Sequence, residues 1–172
     1  HNKHFYIFSL IKHYIKELHT RELLPFSTNN YKIEIIARLL GHLFTDGHCG
    51  KYNLEFYCGS REDAEVIARD IRLLGFEPSK IAEKKTKITI HQKIVHYTTY
   101  TLSKGGALHA LLVHAGLPTG KKTDLSFHVP SWLSQASLSV KREFLGALLG
   151  GDGPKARVTI RTDRKSGSKT HL

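Results

Sequence analysis

Two aspartates stand where a helix disfavours them. Asp46 nearly closes the run RLLGHLFTDG at residues 38–47, and Asp152 does the same in FLGALLGGDG at residues 144–153. In each, an apolar helical run ends on a carboxylate and then a glycine. The C-terminal end of a helix carries partial negative charge, so an acid there is unfavourable. The glycine has an ordinary reading, as a terminator in the left-handed conformation. One such acid reads as a solvated helix-end residue; a repeated one asks for a chemical reason. Each run also has a small residue at its fourth place, Gly41 and Ala147. Small residues on a helix face let two backbones approach closely. If the two helices pack together, both carboxylates arrive side by side, where they repel each other and lose solvation. A divalent cation offsets both costs. Carboxylate oxygens with positions left for water and phosphate suit Mg²⁺. A metal between two acids can activate water and stabilise the leaving oxygen of a phosphodiester.

The charge balance points to a matching substrate. The chain carries 26 Lys and Arg against 15 Asp and Glu, a formal net charge of +11 with a pI near 9.7. A surplus of this size on a small chain favours a polyanionic partner. The 172 residues, 40% of them hydrophobic, suffice for one domain with a core, or a domain plus part of another. No apolar run is long enough to span a bilayer. The opening HNKHFYIFSLIKHYIKELHT carries Lys12, Lys16 and Glu17 at helical spacing, so it reads as neither a secretion signal nor a membrane span. Cys49 and Cys58 are too sparse for a disulfide scaffold and lack zinc-knuckle spacing. They read as reduced thiols of an intracellular, cytoplasmic protein. The 12 histidines form no HExxH or finger pattern. The absence of methionine suggests a processed product or a segment of a longer reading frame.

The elements that must position the acids follow from periodicity. Residues 4–19 read as an amphipathic helix with Phe8, Ile11, Ile15 and Leu18 on one stripe. Pro25 and its polar neighbours break it, and a second helix runs from about Lys32 to Thr45. A strand at 53–58 alternates, with Leu54, Phe56 and Cys58 on one side and Asn53, Glu55 and Tyr57 on the other. Ser60 caps the next helix, with Asp63 in the capping-box position, a stripe of Ala64, Ile67, Ile71 and Leu74, and Gly75 at its end. Strands follow near 82–91 and 94–102. In the first, Lys85, Lys87, Thr89 and His91 face away from Thr86, Ile88 and Ile90; in the second, Tyr97, Thr99 and Thr101 face away from Ile94, His96, Thr98, Tyr100 and Leu102. A helix at about 103–115 ends before Gly116, the basic loop GKKTD leads to a short helix near Pro130, and the second motif helix follows. A last strand is expected at 155–162, with Lys155, Arg157, Thr159 and Arg161 opposite Ala156, Val158 and Ile160. The organisation is an internal repeat whose period, from Asp46 to Asp152, is 152 − 46 = 106 residues. Only 172 − 152 = 20 residues follow the second aspartate, so the second copy is expected to be incomplete.

The two motifs, with hairpins and a helix between them, resemble the paired helices of LAGLIDADG homing endonucleases. The line GLPTGKKTDLSFHVPSWLSQASLSVKREFLGALLGGDG is especially similar to archaeal and intein-borne members, and the resemblance covers roughly residues 32 to 162. It implies an α+β fold: an αββαββα repeat with pseudo-twofold symmetry, a DNA-binding saddle of antiparallel sheets, and a second repeat truncated here. The corresponding parts are an N-terminal helical extension at 1–31, the first repeat at 32–130 and the start of the second at 131–172. The complete form would be a pseudo-symmetric monomer on double-stranded DNA, with no membrane partner. The implied activity is site-specific, Mg²⁺-dependent hydrolysis of both strands, with Asp46 and Asp152 as metal ligands and catalytic residues. The family often places a lysine near the metal water. Lys122, with Lys121 beside it, is the candidate here, and a phosphate-contacting or solvated lysine is the other reading. Lys51, Asn53, Tyr57, Lys85, Lys87, Lys155, Arg157 and Arg161 are the expected DNA contacts, since β-ribbons fit the major groove. Two departures stand out. The acid that many members carry two places before the metal aspartate is Phe44 in one motif and Gly150 in the other, and Ala147 replaces a usual glycine. An intein or an intron frame is the expected origin, and a fragment with half a saddle is expected to be inactive alone. A non-cleaving DNA- or RNA-binding module on the same fold, maturase-like or regulatory, is the alternative.

Overall fold

The computed structural model describes residues 2–90, 93–120 and 128–152. It is an α+β fold in which helices cover one face of an antiparallel sheet. Helix α1 (Asn2–Thr20) agrees with its periodicity, but its stripe does not bury as expected. Leu18 is buried, whereas Ile11 and Ile15 remain 49% and 46% exposed. Among the described residues, the main packing partner of α1 is the later helix at Ala107–His114. The chain then turns back, Leu23 donating its N–H to the Leu18 carbonyl at 2.9 Å.

Helix α2 (Ile33–Phe44) buries Ile33, Ile36, Ala37, Leu39, Leu40, Gly41 and Leu43. An apolar surface this wide marks a central helix rather than a surface one. It is followed by β1 (His48–Cys49), two residues too short to show a periodicity, paired with β2 (Asn53–Cys58). Ser60 caps α3 (Arg61–Leu73) by accepting the Asp63 N–H at 3.1 Å, as the capping-box spacing predicts. Gly75 closes the helix at φ +86°, where a side chain would be strained.

Strands β3 (Ala82–Ile90) and β4 (Lys93–Gly105) complete a sheet of order β1-β2-β4-β3. Strand β4 runs three residues beyond its expected end, so the following helix, α4 (Ala107–His114), starts later than Ser103. The sheet claims those residues because Asn53 pairs with Gly105 and Glu55 with Ser103. Ser103 also donates its N–H to Ser79 Oγ at 2.8 Å. Gly106, at φ +71°, makes the turn into the helix. Helices α5 (Ser131–Gln135) and α6 (Leu138–Asp152) follow, α5 anchored by Trp132 Nε1 donating to the Ala115 carbonyl at 2.8 Å.

The register assigns the faces. Leu54, Phe56, Cys58 and Leu102 lie beneath the helices and are buried. Asn53, Glu55 and Tyr57 pair with Gly105, Ser103 and Thr101 on the other face, which no helix among the described residues covers. This agrees with the alternation expected for β2 and β4.

Candidate functional site

Asp46 lies two residues past the last helical residue of α2, with Thr45 as the cap. Thr45 Oγ1 donates back to the carbonyl of Gly41 or His42, at 3.4 and 3.2 Å, and tightens this end. Gly47 differs from expectation. It is not a left-handed terminator, since its φ lies outside the positive region. It is glycine because a Cβ would stand 2.7 Å from Leu43 Cα and 3.1 Å from the Glu55 carbonyl. Close approach of helix and strand, not backbone handedness, demands it.

Helix α6 lies against α2 and is parallel to it. A Cβ on Gly41 would stand 2.7 Å from Ala147 Cβ, and one on Gly151 would stand 2.8 Å from Thr45 Cβ and 3.1 Å from Asp46 Oδ2. The contacts therefore advance in the same direction along both helices. The two small residues inferred to form the crossing do so, and the C-terminal ends of both helices meet at Asp46. Phe44 and Phe144 stack edge to face with ring centroids 5.7 Å apart. Arg38 joins three helices: it donates from Nε and Nη2 to both Asp70 oxygens at 2.7 and 3.0 Å, and from Nη1 to Glu143. Asp70 is 3% exposed, and both its oxygens are met by Arg38. This latch was not foreseen. Its signal was an arginine at the head of the RLLGHLFTDG run, midway along a mostly apolar helix.

The Asp46 carboxylate is exposed and faces an open cleft of about 590 Å³, lined by Tyr57, Cys58, Gly59, Tyr97, Thr98 and Thr99. Burial pushes the Cys58 thiol up to about 11, and the charges of Asp63 and Asp46 add to this. Burial also holds the His42 imidazole below its ordinary value. Among the described residues, no three His, Cys, Asp or Glu side chains converge. The donor chemistry at Asp46 nevertheless fits Mg²⁺, which keeps several waters and takes only one or two carboxylates from protein. The backbone of Asp152 belongs to the end of α6, and its side chain lies outside the described residues.

The expected DNA contacts divide. Asn53 and Tyr57 lie on the open face, and Lys51 is exposed in the β1–β2 turn with Nζ 5.1 Å from the Tyr52 ring centre. Lys85 and Lys87 pair with Thr98 and His96, on the face opposite Asn53 and Tyr57. It is Lys84, paired with Thr99, that shares the open face. The alternation expected within β3 holds from Lys85 to Thr89, His91 lies outside the described residues, and single-strand periodicity carries no cross-strand register. Two further residues share the open face and are not among the expected contacts: Glu55, and His48, which pairs with it. Asn53 Nδ2 donates to Glu55 Oε1 at 3.0 Å, and the Tyr57 hydroxyl donates to Oε2. That bond pushes the Tyr57 pKa up to about 12. Lys121, Lys122, Lys155, Arg157 and Arg161 lie outside the described residues. Gly120, just before Lys121 in sequence, donates its N–H to the Cys49 carbonyl at 3.0 Å, three residues beyond Asp46.

No family model matches the chain. It is 37% identical over 158 residues to tRNA-splicing ligase RtcB of Methanocaldococcus jannaschii, covering 84% of this chain and 16% of that protein. It is 32% identical over 154 residues to DNA-directed RNA polymerase subunit Rpo1N of the same organism, covering 83% and 12%. It is 33% identical over 147 residues to the replication factor C small subunit of that organism, covering 84% and 8%. The chain therefore spans at most 16% of the length of these relatives. Among solved structures it is similar to the homing endonuclease I-WcaI bound to its DNA recognition sequence. The TM-score is 0.45 at 14% identity, covering 77% of this chain and 62% of that one. No helix among the described residues is long and apolar enough to cross a membrane.

Proposed function

We propose that this chain is part of a LAGLIDADG homing endonuclease, a site-specific nuclease that hydrolyses both strands of DNA with Mg²⁺. The observation that carries this is the parallel crossing of α2 and α6 at Gly41 and Ala147, which brings both helix ends to Asp46. Two parallel helices with adjoining C-termini gather partial negative charge at one point, and Asp46 adds a full one. Such a site is costly unless a cation belongs there.

Asp46 and Asp152 would hold the metal. Bound there, Mg²⁺ supplies a nucleophilic water and charge stabilisation at the leaving oxygen. Asp46 contributes a carboxylate to the lining of the cleft. Tyr97 and Thr99 line the same cleft and can donate to phosphate oxygens. The net charge of +11 draws the polyanion in.

The relatives support an inserted, travelling segment. A ligase, a polymerase subunit and a replication factor have unrelated tasks, yet each matches this chain over a small part of its length. A shared segment inside unrelated proteins reads as an intein-borne element, and the uninterrupted host gene becomes its natural target.

The test is plasmid cleavage. With the second repeat complete, the enzyme should cut a plasmid carrying an uninterrupted RtcB gene at one site with Mg²⁺ and leave it intact with EDTA. Asp46→Asn should abolish cutting. Metal-dependent cleavage that persists in Asp46→Asn would overturn the assignment, and sequence-specific binding without cleavage would favour a non-cleaving module.

A further inference from the structure

We infer that Glu55 is a base-reading residue that selects cytosine at one position of the bound DNA; this rests on the nucleic-acid reading above. The open face of β2 presents Asn53, Glu55 and Tyr57 in succession, on a chain with 11 surplus positive charges. An acid in the middle of such a face cannot serve phosphate, which it repels. It is not a loose surface acid either. Asn53 Nδ2 holds one carboxylate oxygen and the Tyr57 hydroxyl the other, so the group is fixed in orientation. The Tyr57 pKa of about 12 keeps that hydroxyl protonated and donating.

A carboxylate offers about four acceptor sites, so two engaged donors leave capacity for a ligand. A hollow of about 270 Å³ adjoins Glu55, bordered by Tyr57, Lys80, Thr101 and Ser103. The edge that meets a fixed, acceptor-only group must present a donor. In the major groove guanine offers N7 and O6, both acceptors, and thymine offers O4 and a methyl group. Adenine offers its N6 donor beside the N7 acceptor, whereas cytosine offers the N4 donor alone. Cytosine is the base that complements Glu55 without an opposed lone pair.

The experiment is selection from a randomised duplex library with the full 172-residue chain in EDTA, comparing wild type, Glu55→Gln and Glu55→Ala. Circular dichroism checks that each variant is folded. The wild type should enrich a site with cytosine at one position, by about tenfold over the other bases. Glu55→Gln should move that position toward adenine, whose N6 and N7 suit an amide. Glu55→Ala should flatten that position and leave the others unchanged. If both variants keep every wild-type preference, or lose all preferences uniformly, Glu55 is not a reader. If the wild type enriches no sequence at all, the nucleic-acid reading itself fails and this inference with it.

Discussion

Gly41→Ala is the sharpest test of the helix crossing. A Cβ at this position would lie 2.5 Å from the Phe144 carbonyl oxygen, 2.7 Å from Ala147 Cβ and 3.0 Å from the Leu148 nitrogen. Two of these are backbone atoms and cannot swing away. An ordinary carbon–oxygen contact is about 3.3 Å, so the helices must part by roughly 0.8 Å. A gap of that order forfeits a quarter to a half of the dispersion well for the atoms lining it. Overpacking of this kind typically costs about 1–3 kcal/mol. Intrinsic helix propensity runs the other way, favouring Ala over Gly by about 1 kcal/mol. The crossing should win here, because the obstruction is backbone on two sides, and the net loss should be about 1–2 kcal/mol. Gly146→Ala is the internal control. It lies in α6 with nothing within 4 Å of its would-be Cβ, so propensity alone should act. That variant should gain about 0.5–1 kcal/mol. Urea unfolding at constant slope measures both. A Gly41→Ala variant as stable as Gly146→Ala would refute the close crossing, and with it the argument that brings the two helix ends together.

Two further outcomes follow from the same packing. Burial holds the folded His42 pKa below 6.5, so the unfolded chain takes up the proton first. Stability should be full above pH 6.5, fall as pH drops toward the folded pKa and level off beneath it; His42→Gln should lose that slope in pH-dependent urea midpoints. Arg38→Leu strands the buried Asp70 carboxylate and should cost about 3 kcal/mol by the same measurement, while Arg61→Leu, in an exposed pair with Glu65, should cost under about 1 kcal/mol.

The sequence exposed those features that repeat locally. The two Asp-Gly endings, the small residues five places before each acid, and the capped helix from Arg61 were all visible as spacing. What remained hidden depends on partners distant in sequence. Strand β1 is two residues long, too short for any periodicity, and exists only because β2 pairs with it. The face of Lys85 depends on its pairing with Thr98, which no reading of β3 alone supplies. Gly47 and Gly75 look alike as helix ends, yet one is required by a neighbouring strand and the other by its φ. Arg38 was legible as an oddity, while its acids, Asp70 and Glu143, lie 32 and 105 residues away.

The placement of acids on a basic chain leads to one more expectation. The exposed cations Lys51 and Lys84 stand at the margins of the open face, whereas Asp46 and Glu55 stand inside it. A phosphate brought into the cleft therefore meets repulsion from Asp46 unless a metal intervenes. Two unit charges about 4 Å apart interact by about 1 kcal/mol in water and about 4 kcal/mol at a protein surface. Without metal, Asp46→Asn should then bind DNA more tightly than wild type, by about fivefold if the lower figure applies. With Mg²⁺ the order should reverse if Asp46 is one of the residues that would hold the ion, because the variant lacks that carboxylate. Fluorescence anisotropy with a short duplex, in EDTA and then in Mg²⁺, measures both arms. An Asp46→Asn chain that binds equally in the two conditions, and equally to wild type, would mean that the acid neither repels phosphate nor holds metal. The aspartate would then be an ordinary solvated helix end, and its twin in the second motif a coincidence of sequence.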